Sequence, residues 1–145
     1  MIREMRSEDC PVVAKLWREE LDVPAASDES VRSTFEKMST DDRYRSFVAE
    51  EDGIVVGFIT MVEVLSFDDP HGYIKMNGIA ILPEYKLRGI GEQLVMRAEK
   101  EALDRGVDSI GCASTLKRSG AHQFCEKIGY QRSGIWFHKN FTDKA

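Results

Sequence analysis

A basic, glycine-containing turn lies between an apolar run and a helical pattern in residues 79–94, IAILPEYKLRGIGEQL. Lys86 and Arg88 supply positive charge, and Gly89 and Gly91 lack the Cβ atoms that would hold a ligand away from the backbone. A helix that begins here would present unpaired N–H groups and the positive end of its dipole. These features favour a phosphate or pyrophosphate ligand, although a surface turn that needs glycine for its geometry explains the spacing equally well.

Two familiar phosphate-binding motifs are absent from the sequence. There is no G-x-x-x-x-G-K-[ST], so the turn is not a Walker A loop. The segment GIGEQL supplies G-x-G but lacks the third glycine and the acidic residue of the dinucleotide fingerprint. A nucleotide-type ligand would therefore have to be bound in another way.

The basic turn must be positioned by the strand before it and the helix after it. The apolar run up to Pro83 predicts a strand, and apolar residues at i, i+4 spacing predict a helix from about Gly89 to Gly106. The whole chain indicates the order β-α-α-β-β-β-α-β-α-β-β. Strands are expected at the start of the chain and at 44–51, 54–67, 73–82, 107–114 and 130–141. A mixed sheet flanked by helices accommodates this order.

The composition predicts one globular domain over residues 1–145. The chain is 42% hydrophobic and 31% charged, which is typical of a protein with one ordinary core. The net charge of −5 argues against nucleic-acid partners, and no apolar run is long enough to cross a membrane. Three cysteines without a C-x-x-C pair, and an N-terminus without a signal-peptide pattern, indicate a cytoplasmic location and no metal site.

Four blocks of the sequence resemble one known family. Residues 78–106 resemble the acetyl-CoA-binding segment of the GNAT superfamily of acyl-CoA-dependent N-acyltransferases, in which a Pro-Glu-aromatic corner precedes [QR]-x-x-G-x-[GA]. The motif here runs from Lys86 to Gly91, with Lys in place of the usual Arg or Gln. The segments IREMRSEDCPVVAKLW, FVAEEDGIVVGFI and RSGAHQFCEKIGY are similar to other parts of that family. The resemblance therefore spans nearly the whole chain, in the family's order.

The resemblance implies an α/β (α+β) fold. The expected sheet is mixed and mostly antiparallel, with six to seven strands, a central splayed parallel pair and about four flanking helices. The splayed pair would be formed by residues 77–82 and 109–114, and the acyl-pantetheine arm would enter the gap between them.

The resemblance also implies an enzyme, an acetyl-CoA-dependent N-acetyltransferase. It would move an acetyl group to a primary amine of a small molecule or peptide by direct attack in a ternary complex. The residues implied to bind acetyl-CoA are Ile79, Ala80, Ile81, Lys86, Leu87, Arg88, Gly89, Ile90, Gly91 and Arg118. Homodimers are common in the family, and the apolar segment GIWFHKNF could contribute to one.

Two residues are candidates for proton transfer, each with a competing interpretation. Cys125 falls where many family members place a phenol; it is a candidate acid, a bystander near the CoA sulfur, or a buried inert cysteine. Family members often carry a carboxylate near Asn77, so Glu63 on the preceding strand is the best remaining base, unless it is an outward-facing surface charge. Because Asn77 and Cys125 stand where catalytic groups often stand, a non-catalytic acyl-CoA-binding module or sensor is the alternative function.

The acceptor pocket is expected between the first two helices and residues 63–72. Asp68 and Asp69 in that segment could attract a cationic amine, or they could be part of a solvated turn. The sequence does not choose between acceptor amines.

Overall fold

The structure is a computed structural model that describes residues 1–113 and 119–142. The chain divides into two compact units, residues 1–112 and 113–145. The first unit contains β1 (Ile2–Glu4), α1 (Cys10–Glu19), α2 (Asp28–Ser39), β2 (Tyr44–Glu51), β3 (Ile54–Ser66), β4 (Asp69–Ile81), α3 (Ile90–Arg105) and β5 (Ser109–Cys112). The second contains α4 (Ser119–Lys127). A single domain over residues 1–145 stays a prediction.

The strands form one mixed sheet in the order β1-β2-β3-β4-β5. The first three pairings are antiparallel, and β4 pairs with β5 in parallel. The parallel pairing extends from Tyr73 opposite Ser109 to Met76 opposite Cys112, whereas β4 continues to Ile81. Beyond Met76, β4 is therefore paired on its β3 side only, among the residues that the structure describes.

A β-bulge interrupts β4 where its pairing with β5 ends. In the β3–β4 register, Thr60 lies opposite Gly78 but the next residue, Met61, lies opposite Met76. Asn77 is therefore the extra residue, and it projects on the same side of the sheet as Gly78. A bulge bends its strand and increases the local twist, which favours separation of β4 from β5 at this point.

Helices pack on both faces of the sheet. On one face, α1 encloses an apolar cluster that consists of Val13, Leu16, Leu21, Val48, Phe58 and Ala80. On the other face, α3 buries Leu94 and Ala98 against β3 and β4. Each fully buried valine, leucine or phenylalanine among these residues contributes about 1.5–3 kcal/mol. The predicted mixed α/β architecture with four helices is thus confirmed.

The predicted strand count of six to seven is wrong for the residues that the structure describes, because they form five strands. Residues 130–141, expected to be extended in a sheet, lie in no strand or helix. The large apolar side chains of this segment remain exposed, namely Ile135, Trp136, Phe137 and Phe141. Strand formation depends on pairing and burial more than on intrinsic preference, so β-like composition alone was an insufficient guide here. Within the described part of the chain, no helix has the length and apolarity needed to cross a membrane.

Candidate active site

The N-terminus of α3 is a candidate site for an anion. Gly89 is its N-cap residue and adopts the left-handed conformation, with φ 81°. Apart from its chain neighbours, no atom of the described residues lies within 4 Å of the position that a Cβ on Gly89 would take. The first helical hydrogen bond is donated by the Gln93 N–H to the Gly89 carbonyl (3.1 Å), so the amides of residues 90–92 precede the helical ladder. These amides and the helix dipole can therefore bind an anion in the open space.

The residues just before Gly89 differ in how they present their charge. The Arg88 guanidinium lies 4.9 Å from the centre of the Tyr85 ring, which holds it beside the turn. Lys86 Nζ is 2.5 Å from Glu20 Oε1 at the end of α1, so its charge is shared with a carboxylate. Leu87 is fully exposed with φ 63°, a strained value for a residue with a side chain. Arg88 is therefore the cation best placed to meet an anion at this helix.

The segment of β4 that leads into this turn has one open edge. Ile79, Ala80 and Ile81 pair with Ile59, Phe58 and Gly57 of β3. Their other edge has no partner strand among the described residues, so its main-chain groups are available to an extended polar ligand. The anion site and the open strand edge are consecutive in the chain, as a ligand with a pyrophosphate and an amide-containing arm requires. The predicted contact residue Arg118 lies outside the described residues.

A cavity of about 650 Å³ lies between α1, α2 and the sheet, entirely within the first unit. Its polar floor is formed by Ser46, Thr60 and Asn77 from three adjacent strands. The hydroxyls of Ser46 and Thr60 are hydrogen-bonded to each other at 2.9 Å. Asn77 projects into the cavity from the β4 bulge, so the cavity reaches the point where the described pairing of β4 with β5 ends. The first two helices line this cavity, as expected of the acceptor pocket, but none of residues 63–72 does; that it binds an acceptor stays a prediction.

Trp17 forms a wall of the cavity against Gly78. A Cβ on Gly78 would lie 2.5 Å from the Trp17 ring, so only glycine leaves room for the indole. The ring also packs on Phe58, with 5.7 Å between centroids. The sequence interpretation missed Trp17 and this contact, although a glycine within a strand pattern is the signal of a close approach.

Glu63 does not join the cavity. Its Oε1 accepts a hydrogen bond of 2.7 Å from Arg105 Nη1 of α3, and it lies on the α3 face of the sheet, opposite the cavity. Burial alone would lower the pKa of Arg105, but its bonds to Glu63 and Glu101 raise the pKa above the usual value. The geometry thus gives Glu63 a structural ion pair, and its role as a base stays a prediction.

The other predicted polar residues lie apart from the cavity floor or in the second unit. Asp68 and Asp69 are not among the cavity-lining residues; the Asp68 carboxylate accepts a hydrogen bond from Ser66 within the β3–β4 turn. Cys125 is half-buried in α4, and its carbonyl accepts a hydrogen bond of 2.9 Å from the Tyr130 N–H. Its role as an acid stays a prediction. Across the described ranges, no three His, Cys, Asp or Glu side chains are grouped as metal ligands.

Residues 4–130 of the chain match the acetyltransferase (GNAT) family. Among curated proteins, the chain is similar to the aminoalkylphosphonate N-acetyltransferase of Salmonella typhimurium, with 27% identity over 128 residues, which are 88% of this chain and 80% of that protein. The family match extends from the last residue of β1 to beyond the end of α4.

Two solved structures are similar to this fold over nearly its full length. The transcriptional regulator from Bacillus halodurans C-125 has a TM-score of 0.85 with 20% identity, covering 97% of this chain and 99% of that one. The aminoglycoside N-acetyltransferase AAC(6')-Iy in complex with CoA has a TM-score of 0.84 with 20% identity, covering 98% and 95%. At these identities the similarity shows a shared fold.

Proposed function

We propose that this chain, which belongs to the acetyltransferase (GNAT) family, transfers the acetyl group of acetyl-CoA to a primary amine of a small molecule or peptide. One observation carries the proposal: the cavity reaches the bulge at Asn77, where the open edge of β4 begins, and that edge leads into the anion site at Gly89. A donor bound along the strand edge and an acceptor in the cavity would meet at the bulge.

The donor site offers a group for each polar part of acetyl-CoA. The amides of residues 90–92 would bind the pyrophosphate, and Arg88 would add a charge-assisted contact. The open main-chain groups of residues 79–81 would pair with the pantetheine arm, and an N–H near Ile81 would polarise the thioester carbonyl. The similarity to an acetyltransferase structure that contains CoA supports this donor.

The chemistry is a direct acyl transfer. The nitrogen lone pair of the amine attacks the thioester carbonyl carbon, the C–S bond breaks, and the nitrogen loses one proton while the CoA thiolate gains one. The products are an N-acetyl amide and free CoA. Both substrates are bound at once because the cavity and the strand edge adjoin each other, so no acetylated protein intermediate is required.

The cavity floor offers no carboxylate to accept the proton. Asn77 cannot act as a base, and Ser46 and Thr60 are neutral hydroxyls. We propose that water carries the proton away from the amine, with the hydroxyl pair orienting the nitrogen. Cys125 as proton donor to the thiolate stays a prediction; the variant Cys125→Ala, with an unchanged kcat, would remove it from the mechanism.

The amine acceptor is supported by the named relatives. Aminoalkylphosphonates and aminoglycosides, named for the relatives in Salmonella typhimurium, both carry amino groups. Acetyl-CoA as donor is consistent with a cytoplasmic location, which stays a proposal.

The donor site is tested by a matched pair of glycine variants. Gly89→Val and Gly106→Val each place a side chain at a left-handed position with open space around it, at opposite ends of α3. Both should lose similar stability, about 1–2 kcal/mol, because of the same backbone strain. Only Gly89→Val should raise the Kd for acetyl-CoA, by about tenfold or more, and abolish the increase in Tm that the ligand gives the wild type.

Turnover separates an enzyme from a binding module. Release of free CoA thiol in the presence of amines, measured over alkylamines, amino acids, polyamines, aminoglycosides and peptide N-termini, should identify an acceptor. Tight acetyl-CoA binding with no thiol release across that panel would favour a non-catalytic acyl-CoA sensor. Equal Kd values for acetyl-CoA in the Gly89 and Gly106 variants would contradict the assignment of the pyrophosphate site to the N-terminus of α3.

A further inference from the structure

The acceptor cavity has mostly apolar walls, with Ser30, Thr34 and Tyr44 as their uncharged polar members, and a small polar floor. We infer that its acceptor is a primary amine carried on an apolar aliphatic or aromatic body, rather than a polycationic or anionic amine. This inference rests on the proposed function and narrows the acceptor class of the same site.

The apolar stripe of α2 supplies one wall. Val31, Phe35 and Met38 recur at i, i+4 and i+7, so they lie on one face of the helix and all three line the cavity. An amphipathic helix normally buries such a stripe in the core, yet no residue of α2 is fully buried. The stripe faces the cavity instead, and an apolar ligand would remove it from water.

The opposite wall is equally apolar. Trp17 and Phe58 are in ring contact there, and Met5, Val13 and Val23 complete the surface. A volume of about 650 Å³ falls within the range of roughly 300–1,000 Å³ typical of small-molecule sites. The cavity can therefore enclose a body of several carbon atoms or an aromatic ring.

The charges around the cavity do not suit a polycation. Of the described residues that line it, two are charged, Lys37 and Asp41, and their charges cancel. Asp41 is already bound by Arg43, whose Nη2 and Nε donate to its two oxygens at 2.8 and 3.1 Å. Several ammonium groups would need several free carboxylates. The acidic residues Asp68 and Asp69, which would have supplied them, do not line this cavity.

The polar floor fixes the orientation of the amine. Ser46, Thr60 and Asn77 lie on the sheet side, next to the open edge of β4, and the α2 stripe lies on the far side. The amino group would therefore rest on the floor and the apolar body would extend toward α2. Because an apolar environment disfavours the charged form, it lowers the pKa of the bound ammonium. More of the amine is then neutral and able to attack, without a carboxylate base.

A homologous series of amines tests the inference. With acetyl-CoA saturating, thiol release is measured for ethylamine, propylamine, butylamine, pentylamine, hexylamine and 2-phenylethylamine. Each added CH₂ that enters the apolar cavity should raise kcat/KM by about fourfold, the factor that corresponds to burial of one methylene. Spermidine, kanamycin and 2-aminoethylphosphonate should be poorer acceptors than hexylamine. A flat alkyl series with a preference for a polycation or a phosphonate would overturn the inference and leave the N-acetyltransferase function standing.

A pair of α2 variants locates the apolar body. Val31→Phe fills space at the cavity wall, whereas Ser33→Phe adds the same side chain on the exposed surface of the helix. Val31→Phe should lower kcat/KM for hexylamine at least tenfold while ethylamine and the KM for acetyl-CoA change little. Ser33→Phe should retain the wild-type series. A Val31→Phe protein with an unaltered series would place the apolar body elsewhere and contradict the assignment.

Direct binding keeps the inference testable even without turnover. The same amines are titrated into CoA-loaded wild-type protein by calorimetry. A Kd that falls with each added CH₂ supports the apolar ligand class, whether or not thiol is released. If no thiol is released, the proposed transfer reaction is wrong but the inferred ligand class stands. A Kd that is independent of chain length overturns the inference.

Discussion

At the level of single residues, the side chain that Gly78 lacks shapes the acceptor cavity. The Trp17 ring occupies the space of a Cβ at that position. We expect Gly78→Ala to displace the indole into the cavity, to lower the free energy of unfolding by about 1–3 kcal/mol, and to raise the KM for the amine without changing the KM for acetyl-CoA. Steady-state kinetics and thermal unfolding measure these effects.

Gly111→Ala is the control for that variant. Gly111 is also a strand glycine, in β5, but no atom of the described residues beyond its chain neighbours lies within 4 Å of its Cβ position. Alanine there should leave both stability and kinetics near those of the wild type. Equal effects of the two variants would show that the Trp17 contact is not what requires glycine at position 78.

The residues of the basic turn could be predicted from the sequence because their geometry is local. Gly89 adopts the left-handed cap conformation that a helix start with glycine favours, and Gly106 ends the same helix as expected. Trp17, Thr60 and Asn77 could not be predicted as neighbours, because α1, β3 and β4 bring them together over long sequence distances. The sequence placed Glu63 on the correct strand but did not show on which face of the sheet its side chain lies, because that depends on packing against α3.

At the level of elements, ion pairs connect α3 to the sheet. Glu101 is nearly buried and accepts hydrogen bonds from Arg45 of β2 and from Arg97 and Arg105 of its own helix. Arg105 continues the network to Glu63 of β3. Because the Glu101 carboxylate binds three guanidinium groups and Arg105 binds two carboxylates, the orientation of α3 on the sheet is specified by charge as well as by apolar burial.

The variant Glu63→Gln separates a structural role from a catalytic one. Loss of the ion pair should lower the free energy of unfolding by about 1 kcal/mol, and kcat should stay within about twofold of the wild type. Arg105→Gln should cost a similar or greater amount of stability with the same unchanged kcat. A loss in kcat of about 100-fold or more in Glu63→Gln alone would instead identify Glu63 as the general base.

At the level of the whole molecule, a buried carboxylate contributes to the acid stability of the first unit. Asp9 is 4% exposed, and both of its oxygens accept from Arg3 of β1, at 2.9 and 3.0 Å, while the Arg6 N–H donates at 2.7 Å. Burial alone would raise the pKa of Asp9, but these donors lower it below the usual 3.8. The charged form is therefore stabilised by folding.

The pH dependence follows from that direction. The contribution of Asp9 to stability is complete above about pH 5 and is lost as the pH falls below 3.8 through the lower folded pKa. Asp9→Asn should lower the free energy of unfolding at pH 7 by about 2–3 kcal/mol, and the difference from the wild type should shrink toward acid. Denaturant unfolding at several pH values measures it. Asp42→Asn, at an exposed side chain, is the control; a pH-independent difference for Asp9→Asn would contradict the linkage.

Most of the architecture could be predicted because hydrophobic period and turn residues report it locally. The helices, the β2–β3 hairpin at Asp52-Gly53 and the order of elements up to α4 follow from such patterns. The strands expected in residues 130–141 were not found, because an apolar segment becomes a strand only when another strand pairs with it. Homodimerisation, in which that segment was expected to take part, stays a prediction.

Because Asn77 is the extra residue of a bulge, the pairing of β4 with β3 does not require it. Because Asn77 and Gly78 lie on the same face, removal of Asn77 would leave every later side chain of the strand on its present face and would not reorient the turn that follows. Removal of Lys75 instead would move the side chain of Met76, or those of its neighbours, to the opposite face of the sheet and out of the core. A deletion at position 77 would also let β4 straighten and stay alongside β5 for longer. The protein would then still fold, but the gap through which the donor enters would be closed. The bulge at Asn77 is therefore needed for donor binding and not for formation of the sheet.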